Sequence, residues 1–166
     1  MKSLLLFAAA IVTTLSVSAQ PSHPNSPHDT VENKDIKVTY GRPYKKGRVV
    51  FGELEKYGKV WRTGADEATA ITFKKDGKFG GQNVKAGTYT LFTIPNENEW
   101  TVILNSQLGQ WGAFSYDKYK DKDVLKFNVP VKKLDTPVEQ NTIRLIKDKS
   151  IIIEWDQAQV AIPIDF

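Results

Sequence analysis

Three arginines stand where an anion-binding site would need them, each beside an aromatic side chain or a glycine turn. Two lie in YGRPYKKGRVVF, residues 40–51, and the third in YGKVWRTGADEAT, residues 57–69. A guanidinium fork meets carboxylate, phosphate or sulfate oxygens in pairs, so Arg42, Arg48 and Arg62 are candidates for holding such a group. Arg42 precedes Pro43, which biases its backbone towards an extended form, and Arg48 closes a Lys45-Lys46-Gly47 turn. Trp61 adjoins Arg62, and Asp66 follows the Gly64-Ala65 turn. Trp61 and Trp111 offer flat faces that suit the apolar side of a sugar ring.

Strand alternation frames the question at Arg62. Val60 and Arg62 fall on one face, Trp61 and Thr63 on the other. With Trp61 in the core, Arg62 faces water. With Val60 in the core, Arg62 turns inward and needs a carboxylate partner, for which Asp66 and Glu67 are placed just past the turn.

Other chemistry is limited by the inventory. There is no cysteine, and the two histidines, His23 and His28, sit near the N-terminus, so Ser-His and Cys-His mechanisms lack their base. The same two histidines lack a third ligand at metal-binding spacing and read as solvated tail residues; no metal or cofactor is expected. Ser115 and Lys118 match a bare Ser-x-x-Lys spacing without its partner motifs. No pair of carboxylates is singled out for glycoside cleavage, and Gly77, Gly80 and Gly81 read as turn residues rather than a phosphate loop.

The elements that must position these groups follow from pattern. Met1-Lys2, the apolar run from Leu4 to Val12 and the small residues ending at Ala19 form a signal-peptide layout over residues 1–19, so a periplasmic or secreted protein is expected. The apolar run is too short to span a bilayer, and no cysteine follows it to carry a lipid anchor. Residues 20–34, opening with QPSHPNSP, read as a flexible leader, and residues 35–166 as a single domain. Within it, period-2 runs recur at 35–40, 68–73, 88–94, 99–105, 124–131, 141–146, 150–155 and 158–164. Turn signals separate them, among them Gly80-Gly81, Pro95-Asn96 and Asp135-Thr136-Pro137, with Asp156-Gln157 as a C-terminal corner. About nine to ten short strands at this spacing predict an antiparallel β-sandwich, with a jelly roll or closed barrel as alternatives. The net charge of +4 is mild and spread along the chain, which does not suit nucleic acid as a partner.

Taken in order, Tyr40-x-Arg42-Pro43, Lys46-Gly47-Arg48-x-x-Phe51-Gly52, Gly58-x-x-Trp61-Arg62-Thr63-Gly64-Ala65, Ala86-Gly87-Thr88-Tyr89-x-Leu91-Phe92-x-Ile94-Pro95, Trp100-Thr101-Val102-Ile103 and Trp111-Gly112-Ala113 resemble the exported bacterial proteins of domain-of-unknown-function family 2911. The resemblance covers about 26–134 closely and implies a compact exported domain without an established activity. Gly41 stands where that family usually has serine, and Asp66 where it usually has asparagine; an ionised Asp66 only accepts hydrogen bonds. The expectation is a non-catalytic binding module for a small anionic or carbohydrate-like ligand, using Arg42, Arg48, Trp61, Arg62, Asp66 and Trp111. A hydrolase built on carboxylates and arginines, or a structural protein, are the competing classes.

Overall fold

The computed structural model describes residues 26–147 and 149–166. The N-terminal segment read as a signal peptide, and His23, lie outside the described residues. The chain adopts the all-β, antiparallel fold that its alternation calls for. Its strands are β1 His28–Glu32, β2 Ile36–Gly41, β3 Ala70–Phe73, β4 Gly77–Phe79, β5 Gln82–Val84, β6 Gly87–Ile94, β7 Glu99–Asn105, β8 Asp123–Ile146 and β9 Ser150–Asp165. They hydrogen-bond in the order β1-β2-β3-β6-β7-β8-β9-β4-β5. One helical turn, α1 Tyr116–Tyr119, continues into a 3-10 turn before β8. Among the described residues no helix is long and apolar enough to cross a membrane.

The best-patterned strands lie where alternation puts them. In β2, Ile36, Val38 and Tyr40 are buried while Lys37 and Thr39 are exposed. β6 and β7 form the expected hairpin across the Pro95-Asn96 turn, with Leu91 opposite Leu104 and Ile94 opposite Thr101. Gly80 and Gly81, both left-handed, make the tight turn between β4 and β5.

Three expectations need correction. The sheet begins inside the segment read as a leader: β1 pairs with β2, with Val31 opposite Val38 and His28 opposite Gly41. Runs 124–131 and 141–146 are not separate short strands but one 24-residue strand, β8. The Asp135-Thr136-Pro137 signal marks a bulge, where the register against β9 jumps between Lys133 and Val138. Likewise 150–155 and 158–164 form the single 16-residue β9, bent at Asp156, whose φ is 50°. Bulges and turns use the same residues, so a polar-plus-proline cluster alone does not tell them apart.

The long β8 folds the sheet over. Its first part pairs with β7, and from Val131 onward it pairs with β9. Ile36, Val38 and Ile71 from one half and Ile143, Ile153 and Val160 from the other therefore share one core. At one end of that core, Phe51, Trp61, Trp100 and Trp155 pack ring against ring, the Phe51–Trp100 centroids 4.7 Å apart and Trp61 stacked on Trp155 at 5.9 Å. With no cysteine available, this burial carries the fold; each fully buried large apolar side chain contributes about 1.5–3 kcal/mol.

Candidate functional site

The turn at 61–66 is held from several sides. Trp61 exchanges backbone hydrogen bonds with Thr93 of β6, at 2.7 and 3.0 Å, and its indole N–H donates to the Gly64 carbonyl at 3.1 Å. Thr63 is fully buried with φ of 58°, a left-handed backbone that a β-branched residue rarely adopts. Its carbonyl accepts from Thr69 Oγ1 at 3.1 Å and from Asn141 Nδ2 at 3.3 Å. Asp66 is also left-handed, with φ of 61°, and so is Lys46 across the cleft. Each such residue costs on the order of 1–3 kcal/mol, and strain of this kind gathers at functional sites.

Gly41 makes the turn possible. A Cβ there would lie 2.2 Å from the Ala65 carbonyl oxygen, so the end of β2 and the turn approach backbone to backbone. Gly41 and Asp66 are thus neighbours in space through Ala65.

Facing the turn is a cleft of about 350 Å³, walled by Tyr44, Lys46, Arg48, Glu55, Arg62 and Asp66 with Trp155. The structure brings together Arg48, Arg62 and Asp66 from the sequence expectation. Arg48 uses two of its donors locally, to the Lys45 and Tyr44 carbonyls at 2.8 and 2.6 Å. Arg62 is half-buried, and its guanidinium has no hydrogen bond or ion pair among the described residues; its Nε is shut off from water. Asp66 Oδ2 is likewise buried without a hydrogen-bond donor, His28 Nε2 standing off at 3.9 Å.

Neither arrangement expected for Arg62 occurs. Trp61 points into the core, only 2% exposed, yet Arg62 does not simply face water. The left-handed Thr63 breaks the alternation, and the 110–113 loop closes over the side chain: a Cβ on Gly112 would lie 3.3 Å from Arg62 Nη1. Nor does Arg62 pair with Asp66 or Glu67; Glu67 instead meets His28 at 3.1 Å. His28 is a strand residue, not a tail residue.

The carboxyl that senses Arg62 is Glu55, which sequence reasoning missed. Burial pushes its pKa up to about 7, against the opposing pull of Arg62 and then Arg48. The carboxyl group itself has no hydrogen-bond or ion-pair partner among the described residues. In GELEKYG nothing local separates Glu55 from the exposed Glu53; the folding back of 49–55, with Glu55 N donating to the Val50 carbonyl at 2.8 Å, makes the difference.

The remaining expected residues sit elsewhere. Arg42 is a staple: Nη1 to Asp29 Oδ2 at 3.1 Å, Nε to the Asn141 carbonyl at 3.2 Å, Nη2 to Thr142 Oγ1 at 3.0 Å. Trp61 is core. Trp111, 51% exposed, walls a different cavity of about 580 Å³ with His28, Tyr40, Glu67 and Gln110.

With this geometry in view, comparison with known families is informative. The model for a protein of unknown function (DUF2911) matches residues 22–164. The chain belongs to the DUF2911 family. The match spans β1 to β9 and so takes in the cleft, both flanking turns and the strand hidden in the expected leader. Comparison with curated proteins and with solved structures finds no match. Among the described residues no group of His, Cys, Asp and Glu is arranged to hold a metal ion.

Proposed function

We propose that this DUF2911 chain is an exported, non-catalytic binding module whose Arg62–Glu55 cleft takes a small anionic ligand, such as a phosphate, a carboxylate or an acidic sugar. Its Arg62 carries the reading. A half-buried guanidinium is ordinarily tied down, as Arg42 is; this one faces a polar cleft with its donors uncommitted. Glu55 is compatible with an anion because a carboxyl of pKa about 7 is partly protonated near neutral pH and can donate to a ligand oxygen. Strain at Lys46, Thr63 and Asp66 around the same cleft points the same way. Calorimetric titration with inorganic phosphate, citrate and glucuronate tests it. At least one should bind the wild type roughly tenfold or more tightly than the Arg62→Gln variant, and more tightly at about pH 6 than at about pH 8. Equal affinities in the two proteins overturn the reading.

One observation favours a second reading, a hydrolase: Glu55 and Asp66 share the cleft, one able to hold a proton near neutral pH and the other buried. Turnover of chromogenic glycosides by the wild type, lost in both Glu55→Gln and Asp66→Asn, is the result this reading requires.

A further inference from the structure

A third cavity, of about 500 Å³, opens at the aromatic end of the core and shares no lining residue with the arginine cleft. Its aromatic wall is Phe51, Tyr57 and Trp100. Phe51 packs on Trp100 with ring centroids 4.7 Å apart and planes tilted by 57°. Tyr57 is 40% exposed and held in place against Gly52, where a Cβ would lie 2.9 Å from the tyrosine Cε2. The rim is amide: Asn96 and Asn98 from the turn between β6 and β7, and Gln157 from the bend in β9. None of these three side chains has a hydrogen bond among the described residues, and all three are exposed.

Two features mark this cavity as more than a surface dip. Trp100 is 0% exposed, and its indole N–H has no acceptor, an arrangement that native proteins seldom leave unexplained. Asp156, in the same wall, holds a left-handed backbone with φ of 50° while its carboxylate is tied to Lys45 at 3.0 Å and to Val50 N at 3.1 Å. The bend in β9 that presents Gln157 is therefore fixed.

We infer that this cavity is a saccharide site, taking a neutral sugar ring with Tyr57 and Phe51 against its C–H face and the three amides on its hydroxyls. An amide donates and accepts, which matches a hydroxyl that does both, and aromatic faces suit the apolar side of a pyranose. The charged residues of the lining are Glu97 and Lys133, of opposite sign, and Asp156, already paired with Lys45, so no single sign dominates to draw an ionic ligand. Trp100 lines the same cavity, so a ring seated there alters the surroundings of its indole. The volume falls in the range of small-molecule sites.

The indole N–H resonances of ¹⁵N-labelled protein read this directly, the Trp100 signal being assigned by its loss in Trp100→Phe. Titration with maltose, cellobiose and N,N′-diacetylchitobiose to millimolar concentration should shift the Trp100 signal saturably for at least one sugar. That response should weaken tenfold or more in Tyr57→Ala and in Gln157→Ala, both exposed positions whose spectra report an intact fold, and persist in Arg62→Gln. The inference is overturned if no sugar moves the Trp100 signal, if the shift survives both variants, or if Arg62→Gln abolishes it. Anion binding is read separately on phosphate, so failure here leaves the arginine cleft standing, and the reverse.

Discussion

The Tyr40 hydroxyl stands in for a strand partner of Ile143, 103 residues away: it accepts from the Ile143 N–H at 2.9 Å and donates to the Ile143 carbonyl at 3.5 Å. One phenol on β2 thereby closes the first half of the sheet against β8 in the second. Burial raises its pKa above the ordinary tyrosine value, so the proton needed for donation is held. Removing the hydroxyl leaves a buried N–H unpaired. Tyr40→Phe should therefore lose about 1–3 kcal/mol in urea unfolding, with the slope of the transition unchanged.

Arg42 and Arg62 should part company when truncated. Arg42→Ala abandons three hydrogen bonds from a charged donor and should cost about 1.5–3 kcal/mol or more. Arg62→Ala breaks no bond within the described residues and should cost no more than about 1 kcal/mol. Unfolding curves of the two variants decide the matter; a larger loss at Arg62 makes that residue structural and removes the case for a ligand.

The pH dependence of stability has a definite sign at Glu55. Its folded pKa of about 7 lies above the unfolded value near 4.5, so the native state binds the extra proton. Its contribution is fully present below about pH 4.5, declines as pH rises through 7 and is flat above that, amounting to at most about 3 kcal/mol. Glu55→Gln should flatten this limb and be more stable than wild type at about pH 8. Arg62→Gln removes a charge that lowers the Glu55 pKa, so the midpoint should move upward. Chemical denaturation at a series of pH values measures all three proteins.

Gly41→Ser adds a side chain at a place where the fold has no room for it. The new Cβ meets the Ala65 backbone, not a flexible side-chain end, so the 63–66 turn must shift. A loss of about 1–3 kcal/mol is expected, together with weaker anion binding at Arg62. Unchanged stability means that the turn yields freely, contrary to its hydrogen bonding.

The sequence made β2 legible because it alternates cleanly between a buried and a wet face, and β6 and β7 legible through their apolar, β-branched runs on either side of the Pro95-Asn96 turn, although the fold buries Thr90–Thr93 and Val102–Asn105 on both faces. β1 hid in a proline-rich segment, and β4 and β5, at three residues each, are too short for a period to show. The merger of four short runs into β8 and β9 was beyond local pattern, since the register that distinguishes bulge from turn is set by the partner strand. Of the residues that side-chain chemistry singled out, Arg48, Arg62 and Asp66 line one cleft. The same chemistry grouped Trp61 and Arg42 with them because a motif is contiguous in sequence while burial is decided by the fold. Glu55 needed the three-dimensional path of 49–55, which no side-chain type announces.

The pairing of Phe79 with Ile164 has a consequence for how the chain reaches its native state. The β4–β5 hairpin pairs within itself but joins the rest of the sheet only through β9, so the free edge of β4 stays open until the last strand is available. Contacts this far apart in the chain are slow to form, and unpaired strand edges invite association in the meantime. Completion of the sheet thus waits on the C-terminal strand, and a chain cut short before Ile164 should populate aggregates rather than a smaller stable domain.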